Sequence, residues 1–149
     1  MTTPNRPLKL VAYLRVSTIE QADKGYGLDV QREAITLAAR QIGAKVVAWQ
    51  TDEGKSGALD AADRPGLLAA LAAVRAGGAA GMVVRDLDRL ARAVGVQEAV
   101  LAEVWGKNGV VYTSTPPAEV PRDDPDDPMR TAMRQMRGMF HELDRRLIA

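Results

Sequence analysis

The chain has 149 residues, of which 46% are hydrophobic and 26% are charged, as expected of one globular domain with a single core. Its formal net charge of +1 excludes a uniformly basic nucleic-acid-binding surface, so contact with DNA would depend on clustered arginines. Having no cysteine and one histidine, the chain lacks the residues for disulfides, thiolate zinc sites, thiol catalysis, a histidine-rich metal site or a pair of histidines acting as general acid and base.

Apolar strand-like segments then alternate with amphipathic helix-like segments. Strands are predicted at residues 10–17, 45–50, 81–85 and 110–113, with a short fifth strand near 118–120. Helices are predicted at 30–42, where Asp29 is the expected N-cap, from 64 to the Gly77-Gly78 pair, and at 96–105. This alternation predicts an α/β fold with three layers, in which helices cover both faces of a mainly parallel sheet of four to five strands.

Residues 129–149 are predicted to form a long C-terminal helix that follows an α/β domain of residues 1–128. Apolar positions recur in it at steps of three and four, which is the spacing of a coiled-coil seam. The seam either packs on this domain's own sheet or forms an interface between subunits. No Gly, Asn or Pro ends the helix, so we expect the natural protein to continue beyond it. The seam comprises Met129, Met133, Met136, Phe140, Leu143 and Leu147.

Polar loops follow the first three predicted strands, and arginines lie in or beside each of them. Ser17 ends the first strand, and Arg15 precedes it by two residues. Because the carboxyl ends of parallel strands meet at one edge of a sheet, we expect these loops to surround Ser17. Guanidinium groups around a hydroxyl suit chemistry at a phosphodiester, which depends on positioning and charge stabilisation. The other candidates in these loops are Arg64, Arg85, Asp88, Arg89 and Arg92.

Each candidate also has a plainer interpretation. Ser17 could cap the next helix, and Asp88 with Arg92 could form a surface ion pair four residues apart. Tyr13 could be a core residue, and Gln31 could be a solvated side chain on a helix.

A receiver-like or metal-dependent phosphotransfer domain is a separate alternative. Such a domain would bind Mg²⁺ through Asp52, Asp86 and Asp88. The arginines beside Asp88 argue against a cation at that position. The sequence also contains neither a Gly-x-Gly-x-x-Gly turn nor a Gly-x-x-x-x-Gly-Lys-Ser/Thr phosphate loop.

Four ordered blocks of sequence resemble the serine recombinases, the resolvase–invertase family. The spacing between Ser17 and Gln31 is most similar to that of the large serine recombinases, the integrases and transposases. One departure is Asp144, where the family usually has Glu. The matching blocks are Tyr-Leu-Arg-Val-Ser at 13–17 with Gln21 and Leu-Asp-Val-Gln at 28–31, then Asp-Glu-Gly-Lys-Ser-Gly at 52–57 leading to Asp-Arg-Pro-Gly-Leu at 63–67, Leu-Asp-Arg-Leu-Ala-Arg at 87–92, and Phe-His-Glu-Leu-Asp-Arg at 140–145.

The resemblance implies a resolvase-like catalytic domain whose nucleophile is Ser17. Its hydroxyl would attack a DNA phosphodiester to give a 5′-phosphoserine linkage and a free 3′-hydroxyl, followed by strand exchange and rejoining without metal or ATP. Gln31 and Asp88 would position the phosphate-binding groups, and Tyr13 would support Ser17 from behind. The resemblance assigns phosphate binding to Arg15, Arg64, Arg89 and Arg92, ranks Arg85 lower, and adds Gln21 and Asp144 as supporting residues.

The same resemblance implies two partners. One is DNA at specific attachment sites, contacted mainly through C-terminal recognition domains that this chain lacks. The other is a second copy of the chain, in a dimer or tetramer formed through Met133, Met136, Phe140 and Leu143. No membrane partner is expected, since no apolar run is long enough to span a bilayer, and we expect a cytoplasmic phage or mobile-element enzyme in a bacterial host. The remaining alternative is an oligomerisation module with a decayed site, against which the intact Ser17 and the four matching arginines argue.

Overall fold

The computed structural model describes residues 7–16, 27–53, 64–91, 93–124 and 126–148, and the side chains of these residues except 137 and 140–148. Its strands are β1 (Leu8–Val16), β2 (Ala44–Glu53), β3 (Gly81–Val84), β4 (Val110–Ser114) and β5 (Pro117–Glu119). Its helices are α1 (Leu28–Ile42), α2 (Pro65–Arg75), α3 (Leu87–Leu90), α4 (Val94–Gly106) and α5 (Pro128–Ile148). The predicted α/β alternation is confirmed, with its fifth strand and its long C-terminal helix.

The strands form one sheet in the order β2-β1-β3-β4-β5. β1 pairs in parallel with β2 and β3, and β3 pairs in parallel with β4, whereas the short β5 runs antiparallel to β4. The carboxyl ends of the four parallel strands therefore lie along one edge of the sheet. β1 lies between two partner strands, and its residues are buried from residue 10 to residue 16. Side chains at the carboxyl end of β1 are therefore enclosed by the rest of the domain.

Alternate residues of β1 enter two different cores. Val11 and Tyr13 pack in a core that includes residues of α2 and α4, whereas Leu10 and Leu14 pack with Ile35 of α1. The period of two along a strand sends neighbouring side chains to opposite faces of the sheet. Helices consequently cover both faces, which confirms the predicted three layers.

Three local predictions differ from the structure. The prediction that Asp29 caps α1 is wrong: Gly27 is the N-cap residue, and Asp29 lies in the first turn, where a carboxylate favours the positive end of the helix dipole. β2 continues past residue 50 because its pairing with β1 extends to Val16 opposite Glu53. Helix α3 was not predicted, since one turn is too short to show a periodic pattern.

Arg134 attaches α5 to α4. Its Nε and Nη2 donate to the two carboxylate oxygens of Glu98, at 2.9 and 2.5 Å, and its Nη1 donates to Asp123 at 2.9 Å. The guanidinium carbon also lies 5.2 Å from the centre of the Trp105 ring, within cation–π distance. The inner face of α5 is therefore polar at this point of contact.

The described methionines of the α5 seam do not pack into the sheet. Met129 is 65% exposed, and Met133 and Met136 are each 54% exposed. The alternative in which this seam packs on the domain's own sheet does not hold for these three residues. The side chains of the remaining seam residues lie outside the described part of the chain: Phe140, Leu143 and Leu147.

Candidate active site

Arg15 and Arg89 meet at the carboxyl end of β1. The Nε of Arg15 donates to the carbonyl oxygen of Arg89 at 3.3 Å, and the Nη1 of Arg89 donates to the carbonyl oxygen of Arg15 at 3.1 Å. From α1, the Nε2 of Gln31 donates to the same Arg15 carbonyl at 3.0 Å. All three side chains are buried. The main chain just before Val16 is thus held by two side chains from other elements.

The one-turn helix α3 has carbonyl groups that it cannot bond internally, because the last carbonyls of any helix lack partners within it. Arg15 bridges two of them, with Nη2 at 2.9 Å from the oxygen of Asp88 and Nε at 3.3 Å from that of Arg89. Arg64 takes the next one, with its Nη1 2.6 Å from the oxygen of Leu90. Cationic groups at this end of a helix also complement its negative dipole end.

Gln97 of α4 completes this set. Its Nε2 donates to the carbonyl oxygens of Leu87 and Ala91, at 3.1 Å in each case. Each carbonyl oxygen of residues 87–91 therefore accepts a hydrogen bond from a side chain of another element. The backbone of residues 87–91, which belong to the third matching block of sequence, is fixed by side chains from β1, from the start of α2, and from α4.

Arg64 lies immediately before α2 and is fully buried. Apart from the bond to Leu90, its Nε and Nη2 have no hydrogen-bond partner among the described residues. Buried donors without an acceptor are costly, more so on a charged group. An anionic oxygen would satisfy them, so Arg64 retains donors that suit a phosphate.

Asp52 ties the start of α2 to the sheet. Its Oδ1 accepts from the backbone N–H of Gly66 at 2.8 Å, and its Oδ2 accepts from the N–H of Leu67 at 3.0 Å. The same Oδ2 accepts from the Tyr13 hydroxyl at 2.8 Å. A Cβ on Gly66 would lie 2.6 Å from the backbone oxygen of Thr51, so only glycine permits this close approach. These contacts set the position from which Arg64 reaches inward.

Tyr13 acts in this arrangement as a neutral donor. Burial raises the pKa of Tyr13 well above its usual value, more than the positive charge of Arg64 lowers it. Its hydrogen bond to Asp52 raises that pKa further. The phenol therefore stays protonated and bound to the carboxylate. The interpretation of Tyr13 as a core residue is correct for its burial, and its hydroxyl has a defined partner as well.

Two aspartates of the phosphotransfer alternative serve as helix caps. Asp52 binds two amides of α2, as described above, and the Oδ1 of Asp86 accepts from the N–H of Arg89 at 3.0 Å as the N-cap of α3. Across the described ranges, no group of three or more His, Cys, Asp or Glu residues is arranged to hold a metal ion.

The structure brings together one part of the predicted site and does not describe the rest. The predicted residues that share hydrogen bonds around β1 and α3 are Arg15, Gln31, Arg64, Asp88 and Arg89. Outside the described residues lie Ser17, Gln21 and Arg92, together with the side chain of Asp144.

Sequence reasoning missed two residues of this arrangement. Gln97 lies in no motif, and only its apolar surroundings on α4 hint that a glutamine there is buried. From the sequence, Asp52 is a candidate Mg²⁺ ligand, whereas in the structure it caps α2. Its position at a strand end, ahead of the Arg-Pro-Gly that opens α2, is the signal that could have identified it.

None of the helices in the described ranges combines the length and the apolar character needed to cross a bilayer.

Comparison with known proteins gives a consistent result. A family model described as "Resolvase, N terminal domain" matches residues 10–149. The N-terminal catalytic domain of TP901-1 integrase is 25% identical with a TM-score of 0.66, and the match covers 95% of this chain and 99% of that one. The C-terminal catalytic domain of ISC1926 TnpA, an IS607-like serine recombinase, is 25% identical with a TM-score of 0.62, covering 72% of this chain and 70% of that one.

A third solved structure shares the fold. It is a resolvase family site-specific recombinase from Streptococcus pneumoniae, 19% identical with a TM-score of 0.66, and the match covers 92% of each chain. A comparison with curated proteins returned no significant match.

Proposed function

Since the chain belongs to the resolvase family and is the catalytic domain of a serine site-specific recombinase, we propose that Ser17 is the nucleophile that cleaves DNA. The Ser17 hydroxyl attacks a backbone phosphorus and forms a serine–phosphate ester with the 5′ side of the break. The bond from phosphorus to the 3′ oxygen breaks, and that oxygen leaves with a proton as a free 3′-hydroxyl. Rejoining after strand exchange reverses these two bond changes.

The observation that carries this proposal is the cluster of three buried arginines at the end of β1. Arg15, Arg64 and Arg89 are each no more than 2% exposed. Removing like charges from water at one place is costly, and the cost is offset where an anion binds among them. A phosphodiester in the transition state carries the negative charge that such a cluster stabilises.

The residues have different tasks in this mechanism. Arg64, with its Nε and Nη2 donors, binds a non-bridging phosphate oxygen. Arg15 and Arg89 hold the strand end and α3 in register, and their charges add to the field at the phosphate. Asp88 takes part in proton transfer to the leaving oxygen. Supporting roles fall to Arg92, Gln31, Gln21, Tyr13 and Asp144.

No metal or nucleotide is required in this scheme. The guanidinium groups supply the charge stabilisation that a divalent cation supplies in other phosphoryl transfers. The phosphoserine ester conserves the free energy of the broken bond, so rejoining needs no ATP.

The proposed partners are DNA and further copies of the chain. The described methionines of the α5 seam are exposed and available for contact between subunits. We assign residues 1–128 to catalysis and residues 129–149 to an oligomerisation helix that brings two active sites to one DNA site.

The test uses the natural polypeptide that carries this chain, together with labelled DNA duplexes tiled across the sequences that flank its gene. Reactions are stopped with detergent, and DNA linked covalently to protein is recovered. We expect protein on 5′ ends, free 3′-hydroxyls, and the same yield with EDTA. Ser17→Ala should bind the reactive duplex and leave no adduct.

Three outcomes would reject the proposal. These are adducts that persist in Ser17→Ala, adducts on 3′ ends, and the absence of adducts from every duplex. A cleavage step that requires Mg²⁺ would instead favour the phosphotransfer alternative.

A further inference from the structure

We propose that Gln97 is a positioning residue for DNA cleavage, acting through the backbone of α3; this rests on the proposed function of the arginine cluster. Gln97 lies on α4, outside every motif that carries the catalytic candidates. Its side-chain amide donates to main-chain carbonyls of the α3 segment, those of Leu87 and Ala91. Its effect is to fix the short segment from which Asp88 and Arg89 extend.

The first argument is the pair of bonds that Gln97 makes. One amide nitrogen donates to the carbonyls at both ends of the turn, Leu87 and Ala91, at 3.1 Å each. Gln97 is 3% exposed and Ala91 is fully buried, so water has little access to replace these bonds. The carbonyl of Ala91 belongs to the peptide group that leads directly into Arg92. The amide therefore joins the first residue of α3 to its C-cap residue, across the turn that carries Asp88 and Arg89.

The second argument is that α3 cannot hold its own shape. It is a single turn of four residues, and one turn fixes many dihedral angles for few internal hydrogen bonds. Its C-cap, Ala91, is already extended, with φ −164° and ψ 142°. The other carbonyls of the turn are bonded by Arg15 and Arg64, which are themselves candidates for phosphate contact. Unlike Arg15 and Arg64, Gln97 has no proposed contact with DNA.

The third argument places Gln97 between the catalytic segment and the long helix. A Cβ built on Gly138 of α5 would lie 3.6 Å from the Oε1 of Gln97 and 3.1 Å from Cγ2 of Val94. Gly138 thus lets α5 lie directly over the Gln97 amide. An added Cβ would press on Val94 of α4 and would be in ordinary contact with Gln97, so a glycine at this position permits close packing of α5 on α4 beside the Gln97 side chain. The side chain of Gln97 therefore lies between α3, whose carbonyls it binds, and Gly138 of α5.

The experiment compares Gln97→Met with wild type in single-turnover cleavage by the natural polypeptide. Methionine keeps the length and apolar stem of the side chain and removes the amide. Misplacing a catalytic group by about 1 Å can cost roughly 10²-fold in rate, so we expect a loss of about that size. The dissociation constant for uncleaved DNA, measured in a Ser17→Ala background, should change by less than about threefold, a factor worth under about 1 kcal/mol.

Gln135→Met is the matched control. Gln135 also donates an amide hydrogen bond, to Oε1 of Glu98 at 3.0 Å, but it contacts α4 rather than α3. It should cleave at the wild-type rate. All rates are measured at a temperature where circular dichroism shows each variant fully folded. If Gln97→Met does not fold, Gln97→Asn replaces it in the experiment. Asparagine keeps the amide on a shorter side chain that cannot reach both carbonyls. Gln97→Asn should therefore show a smaller loss of cleavage rate, with DNA binding unchanged.

The possible results separate the two proposals. If the wild-type polypeptide forms no covalent adduct, the proposed function fails. If the wild type forms adducts and the folded Gln97 variant cleaves as fast, the positioning role is wrong. It is also wrong if Gln97→Met and Gln135→Met lose the same rate, or if Gln97→Met loses DNA binding in proportion to cleavage.

Discussion

Arg15 and Arg89 exchange hydrogen bonds, each guanidinium donating to the main-chain carbonyl of the other residue across 74 positions of sequence. This reciprocal contact joins the end of β1 to α3. Arg15 also reaches the carbonyl of Asp88 with a second nitrogen, so its planar group spans two successive peptide oxygens. A guanidinium can do this because its donors lie in a fixed fork, whereas an ammonium is a point charge.

We therefore expect Arg15→Lys to lower the free energy of unfolding by about 1–3 kcal/mol, since at least one buried carbonyl would lose its donor. Urea unfolding monitored by circular dichroism measures the change. Arg32→Lys is the control, because Arg32 lies at an exposed position of α1. Its guanidinium carbon is 4.4 Å from the centre of the Trp49 ring. That stacking is worth no more than about 1 kcal/mol. Equal losses in the two variants would contradict the bridging role of Arg15.

Arg64→Ala should slow DNA cleavage on the order of 10²–10³-fold, the usual cost of removing one preorganised charge donor. Arg85→Ala, at the end of β3, should cost less because Arg85 lies outside the matching blocks. Single-turnover formation of the covalent adduct measures both rates. If Arg85→Ala is as slow as Arg64→Ala, the assignment of Arg64 as the phosphate-binding arginine is wrong.

Tyr13→Phe should destabilise the domain by about 1 kcal/mol at neutral pH, since Asp52 loses one of its donors. Above pH 10 the difference should shrink. The pKa of Tyr13 is raised in the folded protein, so the unfolded chain loses this proton first, and wild-type stability falls as pH rises through the ordinary tyrosine pKa of 10.0. The Phe variant lacks this contribution. Unfolding free energies measured from pH 7 to pH 11 test it, and parallel curves for the two proteins would contradict it.

Gly66→Ala should destabilise the domain by about 1–3 kcal/mol, because the new Cβ would lie 2.6 Å from a backbone oxygen of β2 and the helix start would have to move. Gly95→Ala on α4 meets nothing within 4 Å and should leave stability unchanged or raise it by up to about 1 kcal/mol. Thermal unfolding of both variants measures the contrast. Because Arg64 immediately precedes this helix, Gly66→Ala should also slow cleavage, and a stable, fully active variant would show that the helix start is not critical.

Charged substitutions at Met136 and Phe140 should abolish self-association while leaving the far-ultraviolet circular dichroism unchanged. Methionine packs adaptably, so an interface rich in it can rearrange during strand exchange. Sedimentation velocity over a range of concentrations measures the oligomer. Leu37→Lys, at a residue of α1 that is 51% exposed, is the control and should behave as wild type. An unchanged oligomer in the double variant would exclude the seam as the interface.

The local sequence determined the elements and the fold class. Apolar runs of period two and amphipathic segments of period 3.6 indicate which residues of an element are buried. These patterns predicted the four parallel strands and the helices α1, α2, α4 and α5. The ordered motifs also predicted that Arg15, Arg64, Asp88 and Arg89 lie close together, and the structure joins them through hydrogen bonds at α3. Periodicity does not resolve a single turn, so α3 was missed, although its residues were recognised as a motif.

Only the tertiary structure decided how those residues are used. Arg15, Arg64 and Gln97 donate to backbone carbonyls of α3, and every residue type has such a carbonyl, so the acceptor leaves no mark in the sequence. The parallel pairing of β1 with β3 also brings the end of β1 towards the segment that follows β3, where residues 15 and 89 exchange hydrogen bonds although they are distant in the chain. The role of Asp52 as a helix cap was likewise not predictable from the sequence. The groups that donate to Asp52 are backbone amides, and the packing of α2 on the sheet sets their position.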